Sequence, residues 1–196
     1  MPRPDLSVQK RGELLPVLAD AFAELGYRRA STAELADRCA VRVNILYRLW
    51  PDKKAMFVAA IHHVFDRSLA TWEAQLARVR DPADAAPELL KYEARHLGEH
   101  GLYRILFAGL GETDDPEIKA ALAETYGRFL SFISDKVTAH QRKSSEHDGG
   151  SELAEWAILG LATVANIGRE LGLLDSRSRS RLLTEVGDLV MNARRS

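Results

Sequence analysis

Apolar residues in this chain recur three and four positions apart, and nowhere do they alternate with polar residues for long. A period near 3.6 builds an amphipathic helix, whereas a half-buried strand needs a period of two. That feature commits the chain to helices packed on helices. Leu15, Leu18, Phe22 and Leu25 form the first stripe, and Gly26 stands where a helix end favours glycine. Pro16 falls inside the stripe. Proline lacks the amide an interior turn uses, so the first helix is expected to start near Pro16 or to kink there. Ser31 and Glu34 have the spacing of a capping box, which predicts a short helix from Thr32 to about Cys39 with Leu35 and Ala36 inward. After Val41 a second short helix runs through Ile45, Leu46 and Leu49 and ends at Trp50-Pro51. Asp52 is placed to cap a longer helix from Lys53 into the low 70s.

The punctuation continues. Asp81-Pro82 marks a boundary, 87–100 reads as helix, and Gly109 to Asp115 reads as a break. Asp115-Pro116-Glu117 supplies a cap, a proline at the first helical position and an acid. The helix it opens carries Ile118, Leu122, Tyr126, Phe129, Phe132, Ile133 and Val137. Residues 141–151, with Gly149-Gly150, read as a mobile loop, 152–174 as a strongly apolar helix, and Leu182, Leu183, Val186, Leu189 and Val190 as the last one. The expectation is an all-α protein of about nine helices, with a small N-terminal helix-turn-helix domain (1–56) and a larger C-terminal helical bundle (57–196).

Composition enters at two points. A single cysteine, Cys39, rules out an intramolecular disulfide or a cysteine-rich metal site, and reads as a small residue in a helix contact. The most apolar run, 157–165, is too short to span a bilayer, and no signal-peptide pattern follows Met1, so a cytoplasmic chain without a membrane partner is expected. The net charge of −1 is unevenly spread. Residues 1–56 hold ten Lys/Arg and seven Asp/Glu, a balance of +3, which leaves −4 on the remainder. A basic head on an acidic body fits a partner made of phosphates.

Two short helices joined by a tight turn in a basic setting are the local pattern of a helix-turn-helix. The second helix carries Arg42, Val43, Asn44, Tyr47 and Arg48. Arginine and asparagine can bond base edges in pairs, and tyrosine hydroxyls reach phosphates. Lys53 opens the next helix, where free amides favour a phosphate.

The stretch from Leu14-Leu15 through Phe22-Ala-Glu-Leu-Gly-Tyr27, Ser31-Thr-Ala-Glu-Leu-Ala36 and Val41-Arg-Val-Asn-Ile-Leu46-Tyr47-Arg-Leu-Trp50-Pro-Asp-Lys53-Lys-Ala-Met56 resembles the N-terminal domain of tetracycline repressor-like (TetR-family) regulators. The resemblance covers about a quarter of the chain and runs without a gap from Phe22 to Met56. It implies an all-helical homodimer that binds a palindromic operator in double-stranded DNA, a small-molecule effector in the C-terminal domain, and a dimer interface from the last two helices. It transfers phosphate contacts to Tyr47, Lys53 and Thr32, and leaves Arg42, Asn44 and Arg48 as base-contact candidates by position, with Val43 on the same DNA-binding surface. This chain departs from the family at Ala40, where glycine is usual, at Arg42, where a small polar cap is usual, and at Val43 and Arg48-Leu49, where a basic residue and an aromatic-histidine pair are usual. If position 40 needs a positive φ, alanine there costs on the order of 1 kcal/mol.

In the body, Trp72, Tyr92, His96, Tyr103, Phe107, Tyr126 and Phe129 are candidates to line a ligand cavity. Trp156, Gly160, Thr163, Val164 and Ile167, with Leu182, Val186 and Leu189, form the candidate dimer surface. Glu93, His96 and His100 share a helix face, and Glu-x-x-His is a spacing used by di-iron bundles. Those sites need a second such motif, which the sequence lacks, so no metal or cofactor is expected. Two rival readings stand beside the regulator: a helical enzyme or metal protein built on the body, for which no nucleophile–base pair or phosphate loop is present, and a regulator-like protein that acts through partners without binding DNA.

Overall fold

The computed structural model describes residues 6–144 and 153–192. The described residues are helical, with no strand among them. Nine helical runs follow in order: α1 (Leu6–Leu25), α2 (Thr32–Arg38), α3 (Val43–Leu49), α4 (Lys53–Leu76), α5 (Ala85–His96), α6 (Tyr103–Leu110), α7 (Pro116–Ser144), α8 (Ala154–Glu170), and a last run that begins as α9 (Ser176–Arg181), passes through a π-helical turn (Leu182–Val186) and ends as α10 (Gly187–Met191). A single 3₁₀ turn, Pro82–Asp84, precedes α5.

The chain forms two compact units. The first comprises residues up to Arg67 together with His100–Thr125, and the second Ser68–Glu99 with residues from Tyr126 on. In the first unit α1 packs on α2, α3 and α6. Its core is Leu18, Phe22, Leu35, Leu46, Met56, Phe57, Ile61, Ile105 and Ile118, all with essentially no exposure. Phe22 meets Phe57 edge to face at 5.0 Å, and Tyr27 lies 4.7 Å from the same ring. Full burial of each large apolar side chain stabilises by about 1.5–3 kcal/mol, so this core sets the positions of the short helices that could not stand alone. Gly109 lets α6 and α7 approach closely, because a Cβ there would meet the Leu122 side chain at 3.1 Å.

The second unit buries Ala86, Leu90, Ala94, Val137, Ala154, Ala165, Leu183 and Met191 as one cluster. Gly187 sits against Leu90 and Gly168 against Leu174, and neither has room for a side chain.

The caps form as their chemistry requires. The Glu34 amide donates to Ser31 Oγ, the Ala55 amide to Asp52, and the Glu117 and Ile118 amides to Asp115. Several boundaries differ from expectation. α5 ends at His96 rather than at His100. Of the two expectations for Pro16, the start fails: α1 begins at Leu6 and runs through Pro16 for 20 residues, because Leu14, Leu18, Ala21 and Phe22 are buried along one face and outweigh the missing amide bond. α6 runs through Gly109, so the break begins at Gly111. α7 continues to Ser144, with the Gln141 amide donating to the Met191 carbonyl; Gly149-Gly150 lies outside the described residues. α8 stops at Glu170, because Gly172 turns the chain at φ 66° and the amides of Leu173 and Leu174 fold back onto the Gly168 carbonyl.

Candidate functional site

In the first unit, α2 ends in a left-handed turn. The Ala40 amide donates to the Asp37 carbonyl and the Val41 amide to the Ala36 carbonyl, the paired bonds of a Schellman motif. That motif needs a positive φ at its second-last residue, just past the helix cap, and Ala40 takes φ 52°. Arg42 then stands at the N-cap of α3 in an extended conformation and offers no side-chain bond to the helix. Nothing local therefore favours α3. Leu46 and Leu49 are buried on its inner face, Trp50 is buried just past its end, and Arg11 of α1 donates to the Leu49 carbonyl at 2.8 Å.

With Leu46 and Leu49 inward, Asn44, Tyr47 and Arg48 share the opposite face and are exposed, at the i, i+3, i+4 spacing of helix neighbours. Arg42 is exposed at the entrance to α3, and Val43 is partly covered. The Tyr47 hydroxyl donates to Thr32 Oγ1 at 3.4 Å, which ties this face to the start of α2. The structure thus brings Thr32, Arg42, Asn44, Tyr47 and Arg48 onto one surface. Leu49, where this chain departs from the family's usual motif, belongs to the core.

The basic residues of this segment divide sharply. Arg28 pairs with Glu112 at 2.6 Å, Arg38 with Glu24, and Lys54 with Asp115 and Glu117. Arg29 donates to the Leu25 carbonyl. Lys53 donates to the carbonyls of Tyr27 (3.0 Å) and Ala30 (3.1 Å) and lies over the Tyr27 ring at 4.6 Å. An ammonium has three donors, so one remains for a phosphate while two tie the α1–α2 loop to α4. Among the described residues Arg42 and Arg48 have no carboxylate partner. The positive charge open to an anion at this surface is theirs. Burial pushes the Cys39 thiol up, which suits an inert packing residue.

The second unit holds the other candidates. Trp72 stacks on Phe132 at 4.8 Å and meets Phe129 edge to face at 5.8 Å. Tyr92 lies 4.5 Å from His96 on α5, and burial pushes the Tyr126 hydroxyl up. Tyr103 and Phe107 belong to the first unit, where their rings pair at 5.5 Å. Glu93 was grouped with His96 and His100 in the sequence as a possible metal face. Its carboxylate instead accepts from the Trp72 indole at 2.6 Å, His96 Nδ1 lies 3.0 Å from Glu99, and His100 falls in the first unit. No group able to hold a metal occurs among the described residues. The part-buried Glu93 is the residue that aromatic counting missed. The signal was present: Glu93 is four residues past Leu89 and three past Leu90, a carboxylate inside an apolar stripe.

On α8, Trp156 (60% exposed), Gly160, Val164 and Ile167 face outward, as do Val186 and Leu189 (71% exposed) in the last run. Thr163 turns its hydroxyl back to the Leu159 carbonyl, and Leu182 packs on the core cluster of its own unit. No helix among the described residues is long and apolar enough to cross a membrane.

Residues 14–60 match the sequence model of the family described as bacterial regulatory proteins, tetR family. An uncharacterised HTH-type transcriptional regulator of Mycobacterium tuberculosis is 29% identical over 131 residues, which cover 64% of this chain and 65% of the relative, so the chain spans somewhat under two thirds of that relative's length. Two solved structures share the fold at low identity. A transcriptional regulator from Saccharomonospora viridis in complex with choline has a TM-score of 0.75 at 16% identity, over 93% of this chain and 96% of that one. The regulator FadR from Bacillus subtilis in complex with stearoyl-CoA has a TM-score of 0.73 at 13% identity, over 92% and 97%. The matched N-terminal module, residues 14–60, is of the tetR family, and the chain as a whole has the fold of these solved regulators.

Proposed function

We propose that the chain is a repressor that binds a palindromic operator as a homodimer in the bacterial cytoplasm and leaves it when a small molecule binds the C-terminal part. Residues 1–56 are the DNA-reading part and 57–196 the sensing and dimerising part. The role is binding rather than catalysis. The observation that carries the reading is the outer face of α3. Asn44, Tyr47 and Arg48 are exposed with Arg42 beside them, and the two guanidiniums have no carboxylate partner while the basic neighbours Arg28, Arg38 and Lys54 are neutralised. Arg42, Asn44 and Arg48 are assigned to base edges, Val43 to the same DNA-facing surface, and Thr32, Tyr47 and the third donor of Lys53 to phosphates.

Two such faces must meet half-sites about 34–36 Å apart, which requires two copies of the chain. The exposed apolar residues Trp156, Val164, Ile167, Val186 and Leu189 support a surface between copies, with Gly160 allowing close approach. A ligand that prefers a body conformation with a different head spacing weakens operator binding by its differential affinity for the two states. The relatives' ligands support binding of small molecules in general. Choline is a cation and stearoyl-CoA a polyanion with an acyl chain, so the fold alone leaves the ligand class open and this chain's own residues must decide it.

Selection of bound duplexes from a random library, at fixed and stated salt, tests the reading. Enrichment of a palindrome is the expected result. No enrichment by a folded protein, at low salt as well, would overturn it. Light scattering on the same sample checks the dimer, and a monomer at micromolar concentration would remove that part.

A further inference from the structure

The second unit contains an uncompensated carboxylate set among aromatic rings. Glu93 lies in the last turn of α5, where the helix's free carbonyls already present negative charge. One of its oxygens accepts from the Trp72 indole at 2.6 Å, and among the described residues no Lys, Arg or other donor pairs with the carboxylate. Two cations of the same unit are engaged elsewhere. Arg169 of α8 reaches this end of α5 but donates to the Leu97 carbonyl at 3.0 Å, and Lys136 places its ammonium over the Phe132 ring at 5.0 Å. Trp72 stacks on Phe132, so the same indole joins the carboxylate to a ring cluster that already attracts an ammonium. Tyr92 and His96 stack beside Glu93 on α5, and Glu99 adds negative charge rather than relieving it.

A buried structural acceptor for an indole N–H does not need a charge, since a glutamine would serve. A carboxylate costs desolvation, and burial indeed pushes the Glu93 carboxyl above its usual range, against the opposing pull of Trp72 and His96. A single carboxylate does not make a calcium or magnesium site, which takes six or more oxygens. A carboxylate bonded to an indole edge within a cluster of aromatic rings suits a weakly hydrated organic cation, whose charge is met by the oxygen and whose methyl groups are met by the rings.

We propose that Glu93, with the Trp72, Phe129 and Phe132 ring cluster and the neighbouring Tyr92 and His96, is the receptor for a small alkylammonium ligand. This inference rests on the reading of the C-terminal part as ligand-sensing and gives that ligand its chemical class.

Benzyltrimethylammonium chloride is the probe, titrated by calorimetry into the full chain at constant ionic strength, with benzyl alcohol as the uncharged comparison. Binding with a Kd of about 0.1–1 mM is expected for the cation and none in that range for the alcohol. Glu93→Gln, which keeps the size and an acceptor for the indole, should weaken the cation at least about tenfold, while Glu93→Asp, which keeps the charge, should retain measurable binding. Equal binding of the alcohol, or undiminished binding by Glu93→Gln, would overturn the proposal, as would no heat from the cation with a folded protein. Operator binding measured on the same preparations separates the two readings. A protein that binds DNA but not the cation overturns only the ligand class, and one that binds the cation but no DNA overturns only the DNA reading.

Discussion

Ala40→Gly should stabilise this protein, which is unusual for a substitution that removes a methyl group and adds backbone freedom. Ala40 takes φ 52° in the turn between α2 and α3, where an L-residue with a Cβ is strained by about 1–2 kcal/mol. Glycine removes that strain but gains unfolded-state entropy, a loss of about 0.5–1 kcal/mol of stability. Ala40 is exposed, so the missing methyl forfeits little burial, and both turn bonds are made by backbone amides that glycine retains. The net gain is about 0.5–1 kcal/mol, or roughly 1–4 °C in Tm for a chain of this length. Ala33→Gly is the matched control. Ala33 is exposed within α2, seven residues earlier, where the same change costs about 0.5–1 kcal/mol of helix propensity. Urea unfolding followed by far-UV circular dichroism should move the midpoints of the two variants in opposite directions at unchanged slope. A fall in the midpoint for Ala40→Gly would refute the left-handed turn and the strain argument with it.

Three further outcomes follow from the same geometry. Arg42→Ala and Arg48→Ala should each weaken binding to the selected operator, by about 1–3 kcal/mol where the guanidinium reads a base; Arg38→Ala, whose charge is already neutralised by Glu24, should reduce it far less in parallel gel-shift titrations. Lys53→Ala should lower both stability and DNA affinity, because two of its donors hold the Tyr27 and Ala30 carbonyls, whereas Tyr47→Phe should chiefly lower affinity; equal thermal melts for wild type and Lys53→Ala would show those carbonyl bonds to be idle. Glu93→Gln should change how stability depends on pH. The folded state holds the Glu93 proton more tightly than the unfolded chain does, so wild-type stability falls as pH rises from the ordinary carboxylate range, near about 4.3, through the raised folded value. The variant escapes that loss, so it should be the more stable protein at neutral pH and lose its advantage below the unfolded pKa; melting curves that stay parallel from acid to neutral pH would contradict this.

What the sequence made legible is what local chemistry decides. The caps at Ser31, Asp52 and Asp115 and the stop at Gly26 each depend on a residue and its near neighbours, and each formed where expected. The capping box at Ser31 formed only in part: Ser31 accepts from the Glu34 amide, but the Glu34 side chain lies 3.8 Å from Arg38. What escaped is what distant parts decide. Pro16 reads locally as a helix start or a kink, yet α1 begins ten residues earlier at Leu6, held by the burial of Leu14 and Leu18 in the first unit. The end of α8 depends on Leu174 folding over Gly168, and the pairing of Glu93 with Trp72 spans 21 residues. Periodicity places both residues on helices but says nothing of which neighbour they meet.

The departures of this chain from the tetR family's usual motif acquire a physical explanation from where α3 gets its stability. The helix has seven residues, no side-chain cap at Arg42 and a strained residue before it, so isolated it would not hold. Leu46, Leu49 and Trp50 fix it from within, and Arg11 grips its last turn. Its outer face is thereby freed from structural duty, apart from Tyr47, which is tied to Thr32. Positions 42, 44 and 48 can then differ from the usual residues without unfolding the module, and under the proposed reading such a change alters which bases are met. Asn44→Ala makes the case sharply. Asn44 is exposed and bonds to nothing among the described residues, so the change should shift stability by no more than about 0.5 kcal/mol. On DNA an asparagine can pair with an adenine edge for about 1–3 kcal/mol of discrimination. The variant should therefore select a site relaxed at one position in each half, with its unfolding midpoint unmoved. An unchanged site would show that α3 presents Asn44 away from the groove, and a shifted midpoint that the outer face is not free.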